Sequence, residues 1–438
     1  MFKISSEPSS QEKKPLIVIV GGGFGGLTLA KKLKNAPVDI LLVDKHNYHT
    51  FQPLLYQVAI GALAADSIAF PIRRIFAHQH NFSFLLAKVQ KINPEKNSIT
   101  TELGEINYDY LVLATGSNTN FFGNKEIEKF VMPMKNVPEA LNLRSVVLQN
   151  LEKAVVTQDA TEKAALMTFV VVGGGATGVE LSGALAEMRQ LVLMKDYHGL
   201  SRQDMSVYLV EGKPDLLAAM TPKSSKNAKD FLTEMGVIIY NGVHVKSYNG
   251  IDLVIDNGTM LKTRNVFWAA GVVGEFPEGM AEAKTTRSTR IETDEINRVI
   301  DYQNIFAIGD VAATVSEKYP NGHPGVAPAA IQQGQQLAKN LMHLIKGEPT
   351  EPFVYFDKGS LATVGRNKAI VDIGKLHMSG FLAWLLWGFV HIMSLAGFSS
   401  KTTVFLNWAI NYFTQNSDNR LIVRGYNVET QSVELTDK

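Results

Sequence analysis

Short apolar runs alternate with helical patterning along most of the chain, and glycine turns separate the two. That alternation predicts α/β domains built on parallel sheets. Leu16–Val20 (LIVIV) reads as a buried strand, Gly21–Gly26 as a turn, Leu27–Leu33 as the start of a helix and Asp39–Asp44 (DILLVD) as the next strand: one βαβ unit. The same grammar returns a domain length later, with a strand at Thr168–Val172, a turn at Gly173–Gly178, a helix at Val179–Arg189 and a strand at Ser206–Glu211. Three more strands are predicted to run into glycine, over 108–116, 265–271 and 304–310. Strand carboxyl ends in such sheets face the ligand crevice. Residues 190–205 lengthen the second crossover, as a helix extension with a surface loop. Beyond residue 352, short strands at 353–356 (FVYF) and 369–374 (AIVDIG) precede two apolar segments, 380–398 and 401–413.

Gly21, Gly23 and Gly26 fit G-x-G-x-x-G. The first glycine permits a tight turn, the second lets backbone approach a pyrophosphate, and the third packs helix against strand. The helix N-terminus then offers free N–H groups to phosphate. Asp44 closes the second strand, where a carboxylate accepts from both ribose hydroxyls. Strand, turn, helix, strand and acid in order are more specific than the glycines alone; the bland alternative is a flexible loop beside an unrelated acid. Gly173, Gly175 and Gly178 repeat the pattern and Glu211 ends the paired strand. A carboxylate there repels a ribose 2′-phosphate and favours NADH over NADPH, with Lys213 as the nearby cation and a solvated strand end as the alternative reading. Two cradles suggest two dinucleotides, a resident FAD and an exchanging NADH, with hydride passing from one to the other.

The 438 residues suggest about three domains. A net charge of +1, without a basic stripe, gives no sign of a nucleic-acid partner. The chain has no cysteine, which excludes disulfide exchange, thiolate metal sites, iron–sulfur clusters and thiol nucleophiles. His46, His49, His78 and His80 lack a ligand framework, so no metal is expected. Residues 1–14 lack the apolar core of a secretory signal and read as a flexible tail.

The ordered set resembles the two-dinucleotide-binding flavoproteins, in which an NAD(P)H domain is inserted into an FAD domain. Ala114-Thr115-Gly116 looks like that superfamily's turn closing the first FAD segment. Ile305–Asp310 (IFAIGD) looks like its later FAD motif, with Gly309 in the turn and Asp310 on the ribityl chain, and Val89 stands where backbone meets adenine. The finer resemblance is to type II NADH dehydrogenases, on residues 44–59 (DKHNYHTFQPLLYQVA), 325–341 (GVAPAAIQQGQQLAKNL) and the apolar C-terminal region. One departure is Ala327-Pro328, where many members have Ala-Gln.

The resemblance implies a tail at 1–14, an FAD-binding domain at 15–120 and 285–350, an NADH-binding domain at 121–284 and a C-terminal membrane-anchoring region at 351–438 with amphipathic helices. It implies FAD contacts at Gly21, Gly22, Gly23, Phe24, Gly25, Gly26, Asp44, Lys45, Val89, Ala114, Thr115, Gly116, Gly309 and Asp310, NADH contacts at Gly173, Gly175, Ala176, Thr177, Gly178, Glu211, Ala270 and Gly271, and a quinone-side contact at Ala327. Glu180, Gln332 and Gln333 are the catalytic candidates, the glutamines toward the flavin edge or a quinone carbonyl. Glu180 positions nicotinamide or relays protons; on residues alone it is equally an acid at a helix N-terminus. Phe51, Pro53, Leu54 and Tyr56 read as packing residues, with a place in the lining of the flavin pocket as the alternative for some of them.

The expected activity is hydride transfer from NADH to FAD and two electrons onward to a lipid-soluble quinone, without proton pumping. The 380–398 run is long enough to span a bilayer, and its alternatives are a buried core helix or an interfacial anchor. Trp384, Trp387 and Trp408 suit an interface, and Lys401, Arg420 and Arg424 suit anionic headgroups. The resemblance selects a monotopic anchor on the cytoplasmic face of a bacterial inner membrane, and leaves room for a homodimer. Two rivals stay open at this point: a soluble NAD(P)H-dependent reductase of a redox protein such as ferredoxin, and a non-enzymatic redox-sensing flavoprotein.

Overall fold

Each glycine turn leaves the central strand of its own five-stranded parallel sheet. The computed structural model describes residues 14–395, 398–414 and 419–434; the expected tail lies almost wholly outside them. The chain divides into two units, the first holding residues up to 49, 70–118 and 272–357, the second 50–69, 119–271 and 358–438.

In the first unit the strand order is Ile305–Ala307, Tyr110–Leu113, Leu16–Val20, Asp39–Asp44, Phe82–Leu86, all parallel. Ile17 and Ile19 pack on one side with Leu27, Leu29, Leu337 and Leu341 from two helices, Phe24–Lys32 and Ala327–Lys346. Val18 and Val20 pack on the other with Val89, Ile92 and Leu111. Burial on both faces is why LIVIV is continuously apolar instead of alternating. The two helices touch closely because Gly334 has no side chain: a Cβ there would lie 2.6 Å from the Gly25 carbonyl oxygen.

The second unit repeats the plan in the order Met132–Pro133, Asn265–Trp268, Thr168–Val172, Ser206–Glu211, Val237–Asn241. Its glycine-turn helix, Ala176–Leu191, packs against Ser360–Gly365, the first strand of an antiparallel three-stranded sheet completed by Lys368–Ile373 and Leu376–Gly380. A Cβ on Gly183 would lie 1.6 Å from the Val364 carbonyl oxygen, so helix and strand meet backbone to backbone.

Several expectations are corrected. Both cradle helices begin three residues early, at Phe24 and Ala176, with Gly23 and Gly175 as N-caps. The third glycine of each motif is therefore helical and not part of the turn. Residues 353–356 form no strand: Phe353 and Tyr355 are buried and Val354 and Phe356 exposed, an alternation that faces a surface without joining a ladder. The 380–398 run is not one helix. Phe381–Ser394 ends at Leu395 and a second helix, Phe398–Thr414, follows. Among the described residues no helix is long and apolar enough to cross a membrane. Trp387 is buried, stacked on Trp408 at 5.3 Å, because the two helices pack on each other. The cations expected at headgroups have partners within the unit: Arg420 with Asp196 at 2.8 Å, Arg424 with Asn142 at 3.0 Å and Lys401 with the Met393 carbonyl at 2.8 Å.

Gly183→Ala forces the helix off its strand. Overpacking of this kind costs roughly 1–3 kcal/mol, so thermal unfolding of the variant should begin several degrees lower; an unchanged melting temperature would show the contact to be slack.

Candidate functional site

The two cradles are built alike. Gly21 and Gly173 have φ of 108° and 113°, a region that side chains avoid. A Cβ on Gly26 or Gly178 would fall 2.1 Å or 1.7 Å from the carbonyl oxygen of the first glycine, so the helix sits directly on its turn. The middle glycines are different: a Cβ on Gly23 meets nothing nearer than 3.9 Å, and one on Gly175 meets nothing within 4 Å. The first and third glycines make the turn tight, and the second leaves open space where a pyrophosphate fits. The residues present thus suit a dinucleotide in each unit.

The acids are fixed by the same pattern. Gly22 N–H donates to one Asp44 oxygen at 2.6 Å and His46 N–H to the other at 2.7 Å. Gly174 N–H donates to one Glu211 oxygen and Lys213 N–H to the other at 2.7 Å. A carboxylate has about four acceptor sites, so each acid braces its own turn and keeps capacity for a ribose. His49, buried, donates from Nδ1 to the Gly22 carbonyl at 3.0 Å and packs edge-on to Phe24 at 4.9 Å; burial lowers its pKa to about 4, so it stays neutral.

The remaining FAD-side candidates gather in the first unit. The Ala114–Thr115 peptide passes over Gly21, and the Thr115 hydroxyl donates to the Glu275 carbonyl. Ser117 donates to Asp310 at 2.9 Å. Lys45 Nζ lies 3.8 Å from the Glu275 carboxylate, and Val89 starts a strand. Ala327 opens the Ala327–Lys346 helix, and Pro328 fits its first turn, where N–H groups have no helical acceptor. The glutamine amides are already engaged. Gln333, buried, accepts from Gly309 N–H at 2.7 Å and donates to Thr314 Oγ1 at 3.2 Å. Gln332 holds Phe356 by both backbone groups, each bond 2.9 Å. On the NADH side the Ala269–Ala270 peptide passes over Gly173, and Gly271 takes a φ of 79°.

Glu180 stands in the second turn of the Ala176–Leu191 helix and is 7% exposed. Its one hydrogen bond among the described residues is a long one, 3.4 Å, from Thr363 N–H. Burial raises its pKa to about 8, outweighing that N–H, so the carboxyl carries its proton at neutral pH. It lines a cavity of about 70 Å³ with Thr177, Gln52, Pro53, Leu55, Tyr56, Met134 and Lys135. No local pattern signals that Tyr56 shares a cavity wall with Glu180, or that Thr363, far along the chain, donates to its carboxylate.

Pyridine nucleotide-disulphide oxidoreductase is the family whose model matches residues 15–334, and the chain belongs to it. An NDH2 C-terminal domain model matches residues 358–415. The chain is 36% identical over 429 residues to a type II NADH:quinone oxidoreductase of Mycobacterium tuberculosis, covering 93% of this chain and 90% of that one. It is 26% identical over 369 residues to a type II NADH:quinone oxidoreductase of Staphylococcus saprophyticus, covering 82% and 90%. Within the wider family the chain is therefore a type II NADH:quinone oxidoreductase by descent. In fold it is similar to NDH2 of Plasmodium falciparum solved in complex with NADH, with a TM-score of 0.86 at 20% identity over 94% of this chain and 100% of that one.

The Glu180 pKa has a sign that can be checked. The folded carboxyl, at about 8, binds its proton more tightly than an unfolded one at 4.5, so stability falls as pH rises through that window. Glu180→Gln should flatten this slope in thermal unfolding between pH 5 and 9. It should also lower kcat by roughly 100-fold or more, the scale of a lost general acid, with FAD retention unchanged.

Proposed function

We infer that this chain catalyses NADH + quinone + H⁺ → NAD⁺ + quinol, without proton pumping. The observation that carries the reading is the pair of matching cradles in a chain with no cysteine. Two dinucleotides are provided for, and disulfide chemistry is not. Bound FAD supplies the two-electron step between a hydride donor and a quinone.

We assign residues 15–120 and 285–350 to FAD, 121–284 to NADH and 351–438 to membrane attachment. Gly21–Gly26 orient the FAD pyrophosphate, Asp44 its ribose and Asp310 its ribityl chain. Gly173–Gly178 and Glu211 do the same for NADH. Glu180, neutral at pH 7, holds a proton beside the nicotinamide-side helix and releases it toward the quinone. Gln333 fixes the Gly309 turn by accepting from its N–H, which supports a positioning role, while Gln332 holds the backbone of residue 356.

The C-terminal helices support a monotopic anchor. Leu382, Leu385, Phe389 and Met393 are exposed on one helix, Phe405, Leu406, Ile410 and Phe413 on the next. Apolar surface of this extent, opposite a buried stripe of Ala383 and Trp387, suits the boundary of a bilayer. A soluble reductase of a redox protein would need a charged docking face there. We place the protein on the cytoplasmic face of a bacterial inner membrane; sedimentation in detergent decides between monomer and homodimer.

One cuvette tests the reaction: NADH should bleach the flavin spectrum and quinone should restore it over many turnovers. A flavin that NADH leaves oxidised removes the assignment. Glu211→Ala should narrow the preference for NADH over NADPH by roughly 10-fold, since hydrogen bonds to a charged group contribute about 1.5–3 kcal/mol. Phe389→Glu with Phe413→Glu should abolish flotation with lipid vesicles while leaving turnover of a water-soluble quinone intact.

A further inference from the structure

Tyr56 is 6% exposed and shares the wall of the Glu180 cavity. The hydrogen bonds behind it decide where its proton points. Trp408 Nε1–H donates to Gln57 Oε1 at 2.8 Å. An indole only donates, so the amide end facing it must be the oxygen, and the amide cannot be flipped. Gln57 Nε2 therefore faces Tyr56 and donates to the phenol oxygen at 2.8 Å. The phenol oxygen accepts on that side, so its own hydrogen is turned elsewhere. Among the described residues no group accepts it. The cavity, at about 70 Å³, has room for water, which needs only about 10–15 Å³.

We propose that Tyr56 is a second proton donor for quinone reduction beside Glu180, and that Gln57 and Trp408 are positioning residues that aim its O–H into the cavity. The proposal rests on the NADH:quinone reading above. The hydride of NADH brings two electrons and one proton, and a quinol needs two electrons and two protons, so each turnover draws one proton from water. In the proposed step the Tyr56 O–H bond breaks as an O–H bond forms on the reduced quinone oxygen. The Glu180 proton, relayed by cavity water, replaces it on Tyr56, and solvent then reprotonates Glu180. No electron passes through either side chain. Burial, reinforced by the Glu180 charge, holds the phenol well above its ordinary pKa, so it stays a neutral donor throughout the working pH range.

The test uses the full-length, FAD-loaded enzyme in lipid. Tyr56→Phe keeps the ring and removes the O–H. NADH should reduce the flavin within twofold of the wild-type rate, kcat with quinone should fall about 100-fold or more, and KM for quinone should stay within twofold. Trp408→Phe keeps an aromatic ring against Trp387 but removes the indole donor. Gln57 is then free to turn its oxygen to the phenol and take the proton away from the cavity. This variant should lower kcat by a smaller factor, and add nothing in the Tyr56→Phe background. A readout apart from turnover is the tyrosine Raman doublet, isolated by subtracting the Tyr56→Phe spectrum, which should shift in Trp408→Phe as the phenol changes its hydrogen-bonding sense. Unchanged kcat in Tyr56→Phe, or losses that multiply in the double variant, would overturn the proposal. A wild-type enzyme that reduces no quinone would overturn the functional reading instead, and this proposal with it.

Discussion

Where the second-cradle helix passes the Ser360–Gly365 strand, the Val364 carbonyl occupies the place a side chain on Gly183 would fill. That approach brings Thr363 N–H to the Glu180 carboxylate and leaves Glu180 7% exposed. A carboxyl one helical turn from a phosphate cradle would ordinarily ionise and favour the helix N-terminus. Here desolvation prevails over one long hydrogen bond, and the group is kept as an acid. The antiparallel sheet that packs on this helix belongs to the C-terminal part of the chain, far in sequence from the cradle.

The cradles show how little of a dinucleotide site needs specifying once strand and helix are placed. In each, one acid oxygen takes the N–H of the second residue of the turn and the other takes an N–H two residues beyond the acid. The acid is thus part of the turn before any ribose arrives. Loss of Asp44 or Glu211 would loosen backbone as well as remove the proposed ribose contact, so on that reading cofactor affinity and local order are coupled in both units. His49 strengthens the first turn from below, holding the Gly22 carbonyl with a ring that burial keeps neutral.

Much of this was legible in the sequence because it is local. LIVIV and TFVVV, their glycines and their acids lie within one βαβ unit each, and the order of parts identifies the turn. Helix starts were misplaced because a glycine pattern does not say which glycine is the N-cap. The 353–356 segment alternates correctly but has no partner strand, and period alone cannot tell a strand from a chain laid across a surface. The 380–398 run looked like one helix because hydropathy does not see a break when both sides of it are apolar. The long-range backbone partners of Gln332 and Gln333 are likewise invisible in a linear pattern.

A quinone reductase whose acceptor dissolves in lipid has a difficulty that the sequence does not pose openly. Protons must reach an apolar region, where charge is costly. Ionised carriers would oppose entry of the acceptor, whereas neutral groups that still hold a transferable proton would not. Glu180 at neutral pH and Tyr56 throughout the working range are such groups, and they line one cavity. The hydrogen bonds that aim the phenol end at Trp408, on a helix whose other face is exposed apolar surface. The proposed attachment at that face and the proposed orientation of the phenol therefore depend on the same helix. On the proposed reading the C-terminal pair is then more than an anchor, because displacing it would disturb the proposed proton supply as well as membrane attachment.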